Sequence, residues 1–459
     1  MMRFVAAFLA FFLFNSFLEF GFWSSAAVGI WFWYLADLAI KSNTRIAFRE
    51  YILVMYGLNY LFASALQYYA PTQSISIYRM RIPEDEYFAL AIPSMFCFHL
   101  GLYMFKTKVF EPNFNLTAIQ SRLNQNVLRQ WLIVGIALNI IRPFFPGELS
   151  YIIYLLAGIR YVALFGLFLI DRKKYKWYLY VLLFLEVAAA LREGMFHDLV
   201  IWVVFFGMFW TYLKKPSAGT KAILGVAVVL CLYFLQITKA GYREKLHSGG
   251  GSGIGTFSTA LANNNKGGGV FSMVNFTESI VRANQGWIFA SSVNRMNRIK
   301  DYQGLAVVKK YAEAAFLPRF LAPDKIQAGD KAIFNRFSGV TILGNTSMGL
   351  GIFADGYIGY GMYGSLIFAF VFGLIVAYVF KVVERWSRIS PFFIFFFYVI
   401  LNYAVRADCE TQTMMTHLVK GLIIFGLIMA YYKRYFARQS VAAEEQARVF
   451  KEALVASPA

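Results

Sequence analysis

The chain opens with MMRFVAAFLAFFLFNSFLEF (1–20), and how this run is read decides the fold. A basic Arg3 followed by an apolar stretch has the outline of a secretory signal peptide. No small-residue cleavage pattern follows, however, and the run leads directly into a second apolar segment. It therefore predicts a first membrane span, since a helix needs about 20 apolar residues to cross the hydrocarbon layer. The rest of the chain repeats the pattern. Of 459 residues, 59% are hydrophobic and 15% charged, whereas about a quarter are charged in an ordinary soluble domain. Mean hydropathy is +0.54. The expectation is an all-α polytopic integral membrane protein.

Apolar runs between charged breaks give about twelve spans: 3–20, 23–40, 51–69, 87–105, 130–141, 150–170, 177–191, 198–213, 222–240, 355–380, 391–405 and 416–432. The fifth and seventh are short, which predicts tilted or partly re-entrant helices. Sidedness follows from basic residues in the short loops. One set of alternate loops, with Arg3 and the residues after the last span, holds 21 Lys and Arg; the opposite set holds five. This places both termini in the cytoplasm. The expected organisation is nine spans over 1–240, an external helical segment over 241–350, three spans over 351–432 and a cytoplasmic tail over 433–459. Within the tail, 442–454 reads as a soluble helix.

The external segment begins with HSGGGSGIGTFSTALANNNKGGG (247–269), which lacks G-x-x-x-x-G-K-[ST] and reads as a flexible linker rather than a phosphate loop. ESIVRANQGWIFASSVNRMNRI (278–299) has apolar residues at roughly helical spacing and predicts a helix lying on the membrane surface. GLAVVKKYAEAAF (304–316) predicts another helix, with Pro318 ending it. The stretch FLPRFLAPDK (316–325) then breaks the apolar rhythm with two prolines and three charges.

Composition excludes some chemistry. Three cysteines make no disulfide framework, and no C-x-x-C or H-E-x-x-H spacing occurs among so few cysteines and four histidines. No zinc site, metal or other cofactor is expected, and nothing points to nucleic acid. The basic residues are more informative. All five in the short external loops are arginine: Arg79, Arg81, Arg142, Arg192 and Arg406. Arg160 sits inside the sixth span, LLAGIRYVALF, where a charge is costly and usually faces a functional cavity. Arginine presents a planar fork that matches phosphate oxygens. A plainer reading stands beside this one. Arg79 and Arg81 have Glu84, Asp85 and Glu86 nearby, Arg192 has Glu193 and Asp198, and Arg406 has Asp408 and Glu410, so each could be a structural ion pair or a headgroup anchor. The external segment itself carries 13 Lys and Arg over 243–336 against six Asp and Glu, which suggests an anionic partner.

LPRFLAPDK (317–325), followed by TSMGLGIFADGYIGYGMYG (346–364), resembles the Wzy-type O-antigen and exopolysaccharide repeat-unit polymerases, and LREGMF (191–196) is similar to a turn those proteins carry. The chain departs from their pattern at Glu193, Asp355 and Gly359, where relatives often have Gly, Glu and Asn. The resemblance implies a GT-C-like bundle in a bacterial inner membrane, with undecaprenyl-pyrophosphate-linked oligosaccharides, the bilayer, a chain-length regulator and a flippase as partners. It also implies transfer of a growing glycan from its lipid pyrophosphate to a sugar hydroxyl of another lipid-linked unit, without metal or nucleotide. Arg319, Arg192, Arg336, Arg160, Arg142, Arg406 and Lys325 would hold the pyrophosphate. Asp355, Glu410 or His197 would deprotonate the acceptor hydroxyl, with Asp324 on the same side. Two other readings remain open: an O-antigen ligase or other polyprenyl-sugar glycosyltransferase, and a lipid-glycan transporter. A transporter predicts two similar halves, and the single long segment after span nine argues against it.

Overall fold

A computed structural model describes residues 1–70, 78–107, 123–248, 251, 253–263, 269–317, 321–322, 324–326, 329–342, 348–388, 391–431 and 433. Pro318, Arg319, Pro323 and the helix expected at 442–454 lie outside them. The described residues form helices and no strands, and helix covers most of each of the twelve apolar runs, although 391–405 leaves it after Leu401. By length and composition five helices suffice to cross a membrane: Gln125–Phe144, Leu149–Ile170, Ala218–Lys239, Ile352–Ser387 and Thr411–Tyr431. Others are interrupted or too polar. Phe48–Gly57 reaches Ala63–Tyr69 through a π turn, Leu58–Phe62, and Glu84–Tyr103 opens on three acidic residues.

The chain forms two compact units, each assembled from separated stretches: 1–114 with 180–377 and 402–416, and 115–179 with 378–401 and 417–459. In the second unit, Gln125–Ile141 packs closely on Ile159–Ile170. A side chain at Gly135 would come within 2.7 Å of the Arg160 backbone, so only glycine permits that approach. Trp131 stacks on Phe396 at 6.0 Å.

The first unit contains the external segment and buries much of it. Gly286–Ile299 is no surface helix: Trp287, Ile288, Phe289, Ala290 and Val293 are at most 3% exposed. Burying one such large side chain is worth about 1.5–3 kcal/mol. The apolar spacing was sound, but its partner is protein rather than bilayer. The π turn supplies the anchor. Asn59 Nδ2 donates to Met55 O at 2.8 Å, a side-chain bond that competes with the regular ladder, and Asn59 O accepts from Gln285 N at 3.1 Å. Beside it Ser64 donates to Asn284 Oδ1, Asn284 Nδ2 to Gln67 Oε1, and Gly286 N to Asn284 Oδ1, all at 2.6–2.7 Å. The stretch expected to be linker also contains a helix, Ile254–Ala262. Its Phe257 packs edge-on against Phe196 and Tyr242, each at 5.5 Å, which gives a polar, glycine-rich stretch an apolar reason to order. Ala306–Phe316 forms as expected.

Ile352–Ser387 is two helices joined by a reversal, because Tyr360 and Gly361 leave helical geometry and Gly361 has φ +63°. The short first helix folds back on the second: a side chain at Gly356 would meet Gly364 O at 2.5 Å, and one at Gly364 would meet Gly356 O at 2.1 Å. The second helix packs on Glu84–Tyr103 through small residues in the manner of membrane helices. Ser94 and Ser365 hydrogen-bond at 2.9 Å, and Gly101 and Gly373 each leave no room for a Cβ.

Candidate functional site

Two charged clusters in the first unit meet at residues 402–410, which follow the helix Phe396–Leu401 and lead into Thr411–Tyr431. The first is acidic and closed. Asp355 stands on the short helix before the reversal and is 2% exposed. Its Oδ1 accepts from the Tyr311 hydroxyl at 2.6 Å, and the Thr411 hydroxyl lies beside the carboxylate. Burial, then the negative Asp355, push the Tyr311 phenol well above its ordinary range, so it remains a donor. Glu410 lies beside Asp355. Its carboxylate accepts from Gly329 N at 2.9 and 3.0 Å and from the Thr413 hydroxyl, and burial raises its pKa. The glycine pair Gly349 and Gly351 permits this packing: a Cβ on Gly349 would come within 2.3 Å of Glu410 Cβ, and one on Gly351 within 2.5 Å of the Tyr60 hydroxyl. Gln412 Nε2 donates to Ile326 O at 2.9 Å, so the chain just after LPRFLAPDK is tied down over Glu410.

The second cluster is basic and open. Arg406 Nε lies 3.5 Å from Asp408 Oδ1, and its guanidinium covers the Tyr403 ring. The Asp408 side chain is 46% exposed. Crowding by protein pushes its carboxyl up, but Arg406 and His197 outweigh this and hold it below the ordinary range. Ala218–His247 contributes Lys239 and Arg243, and Gln236 three residues before Lys239 shares their face. Arg282, from Met273–Ala283, donates to Gln236 O at 3.5 Å and so joins that face. Arg243 Nε donates to Gly194 O at 3.0 Å, in the turn that ends Arg172–Glu193. Burial, then the Arg282 charge, lower the Arg243 pKa. His197 opens the next helix. Its Nε2 is buried with no partner among the described residues. Burial first and the Arg406 charge second push its pKa down to about 4, against the pull of Asp408 and Asp198. The imidazole is therefore neutral near pH 7. Lys239, Arg243, Arg282 and Arg406 outnumber the carboxylates Asp408 and Asp198 among them, a surplus suited to a multivalent anion.

Of the expected residues, the structure brings Arg406 and His197 into the basic cluster, and Asp355 and Glu410 into the acidic one. Arg192 ends its helix exposed, a few residues from His197. Arg336 is elsewhere in the unit, paired with exposed Asp301 at 2.8 Å. Lys325 donates to Leu317 O, within its own loop; Asp324 is exposed. Arg319 lies outside the described residues. Arg142 and Arg160 belong to the second unit. There Arg142 covers the Tyr154 ring at 5.0 Å, and buried Arg160 donates to Ala157 O and the Tyr161 hydroxyl. Sequence reasoning passed over Lys239, Arg243 and Arg282. The signal was two cations at i and i+4 near the end of an apolar helix, but Lys239 falls within the ninth expected span and only Arg243 within the basic segment. Among the described residues, no three His, Cys, Asp or Glu side chains gather as a metal site.

The family model named Domain of unknown function (DUF8712) matches residues 85–389. The chain belongs to the DUF8712 family. The matched region includes His197, Lys239, Arg243, Arg282 and Asp355 but ends before Arg406. No curated protein and no solved structure matches the chain.

Proposed function

We propose that the protein is a polytopic glycosyltransferase that polymerises lipid-linked oligosaccharide repeat units on the outer face of a bacterial cytoplasmic membrane. The observation that carries this reading is the cationic surplus of Lys239, Arg243, Arg282 and Arg406 around the buried, partnerless Nε2 of His197. In the proposed reaction the bond between sugar C1 and the pyrophosphate oxygen breaks, and the pyrophosphate leaves on its lipid with the electron pair. The four cations stabilise that developing charge. The acceptor hydroxyl oxygen forms the new bond to C1, and its proton passes to His197. A neutral imidazole can accept it, and a bound pyrophosphate raises the His197 pKa towards the working pH. Asp355 and Glu410 act as positioning residues: Asp355 is too buried to touch a glycan and sits between Tyr311 and Thr411, while Glu410 holds Gly329 and Thr413. Twelve spans are supported by the helix found over most of each apolar run, and both termini inside by the 21-to-5 bias of basic residues between the two sets of loops.

Purified protein given lipid-linked repeat units should build polymer ladders. Arg243→Ala should slow this roughly a hundredfold, about 3 kcal/mol of lost transition-state stabilisation, with protein abundance and thermal midpoint unchanged. Normal ladders from that variant would remove the basic cluster from the reaction. Sidedness is checked separately: a cysteine at position 325 should label in intact cells, and one at 174 only after permeabilisation.

A further inference from the structure

A second group of arginines in the first unit lies outside the cluster described above. The loop 78–82 is pinned at several points: Gln67 Nε2 donates to Tyr78 O, the Tyr68 hydroxyl donates to Ile82 O at 3.0 Å, and the Tyr78 ring meets the Trp287 ring edge-on at 5.1 Å. Met80 Sδ accepts from Asn284 Nδ2 at 3.4 Å, so Met80 points into the buried junction. On either side of Met80, Arg79 is exposed and Arg81 is half-buried. Arg298 joins them from Gly286–Ile299, the helix on which Tyr78 packs. One residue earlier Asn297 donates to Glu86 Oε1 at 3.1 Å, holding that helix against the start of Glu84–Tyr103.

Of the neighbouring carboxylates, exposed Asp85 makes no ion pair among the described residues, and the other two are hydrogen-bonded to groups other than the arginines. Glu84 accepts from Ser24 N and the Tyr69 hydroxyl, and Glu86 accepts from Asn297. Among the described residues none of Arg79, Arg81 and Arg298 makes an ion pair, and Arg81 Nε is buried with no hydrogen-bond partner. Like charges held this close repel unless an anion bridges them, and guanidinium forks are the side chains best shaped to hold phosphate oxygens.

We infer that Arg79, Arg81 and Arg298 form a second anion site, which takes a phosphate-bearing headgroup. On the function proposed above, and resting on it, the ligand would be the pyrophosphate of the second lipid-linked substrate, since the reaction joins two molecules that each carry one.

Pyrophosphate binding tests this by stoichiometry. Full-length protein in phosphatidylcholine nanodiscs is titrated calorimetrically with inorganic pyrophosphate and with farnesyl pyrophosphate. Wild type should bind two equivalents. Arg81→Gln with Arg298→Gln should bind one, with affinity at the lost site falling roughly tenfold or more per guanidinium. Arg81→Lys with Arg298→Lys keeps the charge and should retain weakened binding, which guards against a misfolded glutamine variant. Two equivalents in the glutamine variant would overturn the inference. If Arg243→Gln with Arg406→Gln leaves stoichiometry at two while the Arg81 pair reduces it, the second site stands and the proposed function fails. If phosphatidylglycerol in the disc displaces one equivalent, and the Arg81 pair abolishes this, the anion site stands with bilayer phosphate as its ligand.

Discussion

The first unit contains two ion clusters of similar composition whose pairing could hardly differ more. Around Asp37 and Glu50 each carboxylate is shared between two cations. Asp37 is ion-paired with Arg3 at 2.8 Å and accepts from Lys41, while Glu50 accepts from Lys41 at 3.1 Å, from Arg45 and from the Tyr103 hydroxyl. The Glu50 side chain is 2% exposed. Around Asp408 the Arg406 pair stands 3.5 Å apart, and among the described residues Arg243 and Arg282 engage backbone carbonyls. The lesson is that charge count alone does not distinguish a fastener from a binding site; how the charges are paired adds the distinction. A closed network holds the ends of helices together. An open one retains a net field for something that is not part of the chain.

The largest expected effect breaks the closed network. Glu50→Ala strands Arg45 in a largely buried setting and leaves Lys41 with Asp37 alone, and losing one partner of such a pair costs about 3–5 kcal/mol. The thermal midpoint of purified protein should drop sharply and expression should fall. By contrast, Arg243→Ala should leave the midpoint near wild type and remove activity. If both variants destabilise equally, the open cluster is also a fastener.

A smaller effect concerns pH. His197 has a folded pKa of about 4, below the ordinary value near 6.5, so between those values the unfolded chain binds more protons than the folded one. Stability therefore rises with pH through that window and is lost as pH falls from about 6.5 towards 4. His197→Gln should flatten the acid limb of a midpoint-against-pH curve. An unchanged limb would show that other groups set it.

Much of this was legible in the sequence. The apolar runs announced their helices because a 20-residue hydrophobic stretch states its preference locally, whatever surrounds it. The arginine bias outside, the linked motif LPRFLAPDK and TSMGLGIFADGYIGYGMYG, and the candidates His197, Asp355, Glu410 and Arg406 were also visible as residue types at particular places. Their grouping was not. His197, Lys239, Arg282 and Arg406 come from four separate elements, and only helix packing in the first unit decides that they meet while Arg336 turns to Asp301. The same holds for Gly286–Ile299: its spacing predicted an apolar face, but a face does not name its partner. Long-range contacts depend on how glycine pairs such as Gly101 with Gly373 let backbones approach. That approach is a property of two surfaces together, which no local stretch of sequence contains.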